Sequence, residues 1–234
     1  MNSFVVGELC FELRRSARRR TLEITVDRGG ELILSAPIAA RERRLRDFVR
    51  RKRMWVYRQL ARKEALMRPI PRKAFVDGEG FLYLGRSYRL RLVAGSAKAA
   101  APVRLERGRL LMPRPLAANG RTHLRRWYVE RATPWLSKRV RAYADRMEVE
   151  PAGVHVQDLG YRWGSCGKGG RLYFHWKTIL LPARIAEYVV VHEMAHLHEP
   201  HHTPAFWRRL ARAMPDYEPR KTWLAEHGID VEGL

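Results

Sequence analysis

The stretch His192-Glu193-Met194-Ala195-His196-Leu197-His198-Glu199-Pro200-His201-His202-Thr203-Pro204-Ala205-Phe206-Trp207 decides how the rest of the chain is read. Histidines at i and i+4 of a helix lie one turn apart on one face, so His192 and His196 can both reach a single metal ion, with Glu193 beside that face. With 9 histidines in 234 residues, chance supplies an H-E-x-x-H only about 0.025 times per chain of this composition. Beyond the break at Pro200 comes His202, which a reversed chain can bring back as a third ligand; three protein ligands leave zinc's fourth position open, the count of a catalytic site. His201 competes for that place, and His198 points to another face. Glu199, Asp216 and Glu218 are carboxylates able to ligate or orient.

Working outward, Ala183 to about His198 reads as the helix carrying the motif, with Ile185, Val189, Val190, Met194 and Leu197 on its core side. Thr203-Pro204 reads as an N-cap with proline at the first helical position, opening a helix through Phe206, Trp207 and Leu210, and a last helix ends near Gly228. Upstream, Arg171 to Leu180 alternates Leu172, Phe174, Trp176, Thr178 and Leu180 as a strand would. Leu124 to Tyr143 is helical in spacing, with Pro134 expected to kink or divide it. Further back lie strands around Phe81–Leu92 and Val103–Leu111, and a small-residue linker near 94 to 102. A basic amphipathic helix from about Ala40 to Ala65 carries Leu45, Phe48, Val49, Trp55, Val56 and Leu60, and ends near Pro69 and Pro71. Ahead of it stands a hairpin, Leu22 to Val26 and Leu32 to Leu34, turning at Gly29-Gly30. The expected class is therefore α+β, with a basic β-rich region over 1–118 containing one long helix and a catalytic region over 119–234.

The length leaves no room for a repeat array, and 46% hydrophobic residues supply a core. No uncharged apolar stretch reaches membrane-spanning length, and the N-terminal charge pattern is the reverse of a signal peptide's. Two cysteines, Cys10 and Cys166, are too few for a disulfide framework; a cytoplasmic protein is expected. The net charge of +22 lies almost wholly in residues 1–150, and 14 Lys or Arg against 3 acids fall between Arg41 and Lys73. That segment has two readings: a solvated helix face with its aromatics in the core, or a surface for nucleic acid or a nucleotide.

The motif, preceded by Tyr188-Val189-Val190-Val191, together with Arg162-Trp163-Gly164-Ser165-Cys166 upstream, resembles the YgjP-like metal-dependent hydrolases, a family related to SprT-like and other zincin metallopeptidases. The likeness extends more loosely to Ala36-Pro37, Phe48 to Trp55, Leu84-Gly85 with Tyr88, and Pro215-Asp216-Tyr217. It implies a zincin-like fold, one zinc per chain held by His192, His196 and His202, and Glu193 as catalytic base. The chain departs from the family's Asn-Trp-Arg-like strand with His175-Trp176-Lys177.

The chemistry so implied is hydrolysis of peptide bonds by activated water, with Arg162, Lys177, Tyr217 and Arg220 as candidate contacts to substrate or transition state. Arg171 to Leu180 is the candidate edge strand for an extended peptide. Arg162-to-Cys166 either turns tightly on Gly164 and Gly167 to place Arg162, Ser165 or Cys166 at the cleft, or packs Trp163 into the core; a buried Cys166 fits better than a nucleophilic one. Two other functions compete: a metal-dependent nucleotide phosphohydrolase (a nucleoside triphosphate pyrophosphatase), and a nucleic-acid-associated binding module stapled by a structural metal. The sequence does not fix an oligomeric state.

Overall fold

The computed structural model describes residues 3–27, 30–66, 72–96 and 102–234, the side chains of 62–66 excepted. The turn residues 28–29, the end of the basic helix near the two prolines and most of the expected linker lie outside the described residues. The fold is mixed α+β and packs as two compact units, Met1–Pro69 and Ile70–Leu234.

The first unit has strands β1 (Ser3–Val6), β2 (Leu9–Ser16), β3 (Glu23–Val26) and β4 (Leu32–Pro37), followed by helix α1 (Glu42–Leu66). The strand order is β1-β2-β4-β3, with β2 and β4 parallel and the outer pairs antiparallel. The expected hairpin is present as β3–β4, Val26 facing Leu32. Leu45, Val49 and Val56 of α1 are buried with Phe4, Phe11 and Leu34 of the sheet, the stripe an amphipathic helix lays on a core. Trp55, expected in that stripe, instead lies 43% exposed, about a quarter turn off its centre.

In the second unit, β5 (Gly80–Tyr83), β6 (Arg86–Val93), β7 (Arg104–Glu106) and β8 (Arg109–Pro113) precede helix α2 (Gly120–Met147). Their order, β5-β6-β8-β7, again with the central pair parallel and the outer pairs antiparallel, repeats the first sheet's topology. Phe81, Leu90, Leu110 and Met112 share one core with Leu124, Tyr128 and Leu136 of α2 and with Ile185. The division by packing therefore falls at 69/70, with residues 80–113 on the same side as the C-terminal helices, rather than at the expected 118/119. Pro134 sits inside α2 without dividing it.

The chain continues through β9 (Gly153–Gln157), β10 (Gly164–Cys166) and β11 (Arg171–His175), then α3 (Ala183–Ala195), α4 (Pro204–Ala213) and α5 (Tyr217–His227). The sheet order is β10-β11-β9. The strand expected over 171–180 stops at His175, and Trp176–Leu180 is a 3-10 helix. His175, 2% exposed, causes the switch: its Nδ1 accepts the Lys177 N–H at 3.0 Å and its own N–H bonds the Trp163 carbonyl at 2.8 Å. Moreover β11 is the central strand, so the sheet's edges are β9 and β10. No described helix is long and apolar enough to cross a membrane.

Candidate metal centre

α3 delivers the motif from a helix buried nearly all round: Ile185, Ala186, Val189, Val190, Met194 and Ala195 are buried, and so is Glu193. The helix stops at Ala195, and the N–H groups of Leu197, His198 and Glu199 bond back to the carbonyls of Met194 and Ala195. The chain then reverses into α4, whose cap is the one expected: Thr203 accepts the Phe206 N–H, with Pro204 next. That reversal returns His202 to the α3 face.

His192, His196 and His202 form the cluster: one ligand atom from each, all within 4.8 Å of one another. His202 Nε2 lies 2.9 Å from His192 Nε2. His196 Nδ1 lies 2.9 Å from the Glu199 carbonyl, to which it can only donate, so its Nε2 lone pair is left for a ligand. His192 Nδ1 lies 3.4 Å from the hydroxyl of Tyr188, one turn earlier on α3. Burial first, then His202, His196 and Lys221, push the His192 pKa down to about 3, and burial also lowers that of His202. Three imidazole ligand atoms converging within 4.8 Å fit a borderline divalent ion, so the residues present suit a metal. Phe206 of α4 packs against all three rings, with centroids 4.6–5.0 Å away. Trp207 stacks on His202 at 5.6 Å.

The competing ligands point elsewhere. His198 Nε2 lies 3.1 Å from the Met147 carbonyl. Glu199 engages the cluster through its main chain, and His201 is exposed outside it. Asp216 pairs with Arg220 at 2.8 Å, and Glu218 accepts the Tyr217 hydroxyl at 3.2 Å.

Glu193 is 7% exposed, and burial raises its pKa to about 8 against the pull of Arg162 and of the Cys166 backbone N–H, which donates to its carboxylate. Strand β10 lies directly on it: a Cβ at Gly164 would sit 2.5 Å from Glu193 Cγ and 2.7 Å from Oε1. Gly164 is thus required by close approach, not by the tight turn its sequence suggests. A cavity of about 290 Å³ opens here, bordered by Arg162, His192 and Glu193 and walled by Tyr161, Trp163, Tyr188, Val189 and Leu224.

The four candidate contact residues separate. Arg162 borders the cavity, and Tyr217 stacks on Trp207 at 5.6 Å. Lys177 is ion-paired with Glu232, and Arg220 with Glu187 and Asp216 while donating to the Arg184 carbonyl, so both tie elements together. Burial, then Glu193, raises the Cys166 thiol above its ordinary range, as suits a packed thiol rather than a nucleophile. Two further side chains stand at the cluster, Tyr188 and Lys221. Tyr188 was detectable, standing at i−4 from His192; Lys221, whose Nζ lies 4.2 Å over the Trp207 ring, sits on a separate helix with no local signal.

The model of the YgjP-like metallopeptidase domain matches residues 20–227. Among solved structures, the crystal structure of the metallopeptidase zymogen of Pyrococcus abyssi abylysin aligns with a TM-score of 0.34 and 21% identity, covering 37% of this chain and 86% of that one. Among curated proteins, no sequence matches this chain.

Proposed function

The chain belongs to the YgjP-like metallopeptidase family, and on that premise we propose a zinc-dependent peptidase in which His192, His196 and His202 hold the metal and Glu193 is the general base. The observation that carries the reading is the convergence of three imidazoles beside one buried carboxylate. A zinc ion held there would lower the pKa of a water and polarise a carbonyl. His192, neutral through burial, serves as a ligand and not as a proton carrier. Glu193 takes the proton from the attacking water and hands it to the leaving nitrogen. Arg162 opposes, without cancelling, the burial that raises the Glu193 pKa to about 8, and so increases the ionised fraction that a base requires.

Edge strand β10, not the strand expected over 171–180, is the surface on which an extended peptide would pair, since β10 ends its sheet and runs against Glu193. The apolar walls of the cavity would take the side chain next to the cleaved bond. The metallopeptidase family gives the peptide reading preference over a nucleotide.

Zinc-reconstituted protein is expected to cleave members of a fluorogenic peptide panel. Glu193→Gln should keep its zinc and lose roughly 10²- to 10⁴-fold in turnover. Release of pyrophosphate from nucleoside triphosphates, with no peptide cleaved, would move the assignment to a phosphohydrolase. Full phenotype retained by Glu193→Gln would reduce the metal to a structural staple.

A further inference from the structure

Helix α1 has one face committed to its own sheet and one committed to nothing among the described residues. Ten Lys and Arg stand against three acids over Glu42–Leu66. Its ion pairs among the described residues stay within the helix: Arg46 with Glu42 at 2.6 Å and Arg50 with Asp47 at 3.6 Å. Arg43, Arg44, Arg51, Lys52 and Arg58 are exposed, with no carboxylate partner among the described residues. Arg44, Arg51 and Arg58 recur every seven residues, so they line one side of the helix at intervals of roughly 10 Å. Trp55 follows Arg51 by four positions and precedes Arg58 by three, which places it between those two residues on the same side of the helix. It is 43% exposed, and the neighbouring Met54 is 60% exposed.

Unpaired like charges one helical turn or two apart repel one another and stabilise nothing in the folded unit. A large aromatic left half in water gains nothing there either. Both features become favourable against a polyanion that also presents flat rings. Arginine forks match phosphate oxygens bidentately, and an indole stacks on any unpaired base without regard to sequence. An acidic membrane is the poorer fit: an interfacial helix inserts its apolar face, and here Leu45, Val49 and Val56 are already buried against the sheet. We infer that the outward face of α1 is a docking surface for single-stranded nucleic acid, with Arg44, Arg51 and Arg58 on the phosphates and Trp55 stacked on a base. The inference is independent of the metal centre.

The test is fluorescence anisotropy of a fluorescein-labelled single-stranded DNA of about 20 nucleotides, long enough for the site sizes such surfaces occupy, titrated with the full chain over a range of salt. Binding should weaken with salt at a log–log slope near about −2, the value for three phosphates on a single strand. The triple variant R44Q/R51Q/R58Q should lose about tenfold or more at low salt and flatten that slope. Trp55→Ala should lose roughly five- to hundredfold. A control triple, R86Q/R107Q/R109Q, removes the same charge from exposed positions of the other unit and should bind nearly as wild type does. Equal loss in the control, or undiminished binding by the α1 triple, overturns the proposal. So does binding to phosphatidylserine vesicles or to polyglutamate with none to the oligonucleotide. Should the α1 triple lose helical circular dichroism, Trp55→Ala alone decides the matter.

Discussion

The sheets β1–β4 and β5–β8 share strand order and strand sense, and each leads into a helix of similar length and basicity, yet the two helices are spent differently. α2 buries Leu124, Trp127, Tyr128, Ala132, Leu136 and Val140. Its Tyr128 hydroxyl donates to the Leu82 carbonyl at 2.7 Å. Its cations reach acids on other elements: Arg139 with Glu187 of α3 at 3.2 Å, and Arg125 with Asp158 at 3.4 Å. α1 buries a single stripe, and its ion pairs among the described residues lie within the helix. One topology thus leads in one copy to a helix packed against α3 and in the other to a charged surface. The function resides in what each helix touches, not in the shared architecture.

The largest expected effect breaks or upholds that contrast directly. Leu136→Ala, at a fully buried position of α2, should cost about 2–5 kcal/mol and lower both the melting temperature and the zinc retained. Val56→Ala in α1 should leave zinc content and peptide cleavage as in wild type; loss of metal there would contradict the division. Next comes Glu193, in metal-stripped protein. Its folded pKa of about 8 lies above the unfolded carboxylate value, so the native state binds the extra proton and loses stability as pH rises from about 4.5 through 8. Glu193→Gln should therefore be more stable than wild type at pH 9, by on the order of 5 kcal/mol, with the gap closing near pH 4. Equal pH dependence in the two proteins would deny that burial.

Thr203→Ala should cost about 1 kcal/mol by removing the α4 cap, and it should weaken zinc binding because His202 precedes that cap. A titration against a competing chelator checks this. Smallest of all, Arg51→Gln should shift the melting temperature by no more than about 0.5 kcal/mol allows, since its charge has no partner to lose among the described residues. A larger loss would mean that α1 is held by contacts its exposure does not suggest.

What the sequence disclosed was local. The spacing of His192 and His196, the Thr203-Pro204 cap and the Leu45/Val49/Val56 stripe each follow from periodicity and capping within a few residues, and each appears in the fold. The misses came from elsewhere. Alternation through Leu172, Phe174, Trp176, Thr178 and Leu180 imitates a strand, because in the 3-10 turn Trp176, Thr178, Ile179 and Leu180 are all buried and any period is satisfied. The identity of the edge strand depends on long-range pairing, and β10 is three residues long with no alternation to announce it. Lys177 and Arg220 looked free because their partners, Glu232 and Glu187, are distant in sequence. The repeated sheet topology left no repeated motif, since strand order is a matter of pairing and not of residue identity.

The central claim is a three-histidine metal centre, and metal content tests it most directly: zinc per chain by elemental analysis on wild type, His202→Ala and Glu193→Gln purified side by side. One zinc per chain in wild type and in Glu193→Gln, with little in His202→Ala, is the result predicted. No zinc in wild type after remetallation, or as much in His202→Ala as in wild type, would contradict it.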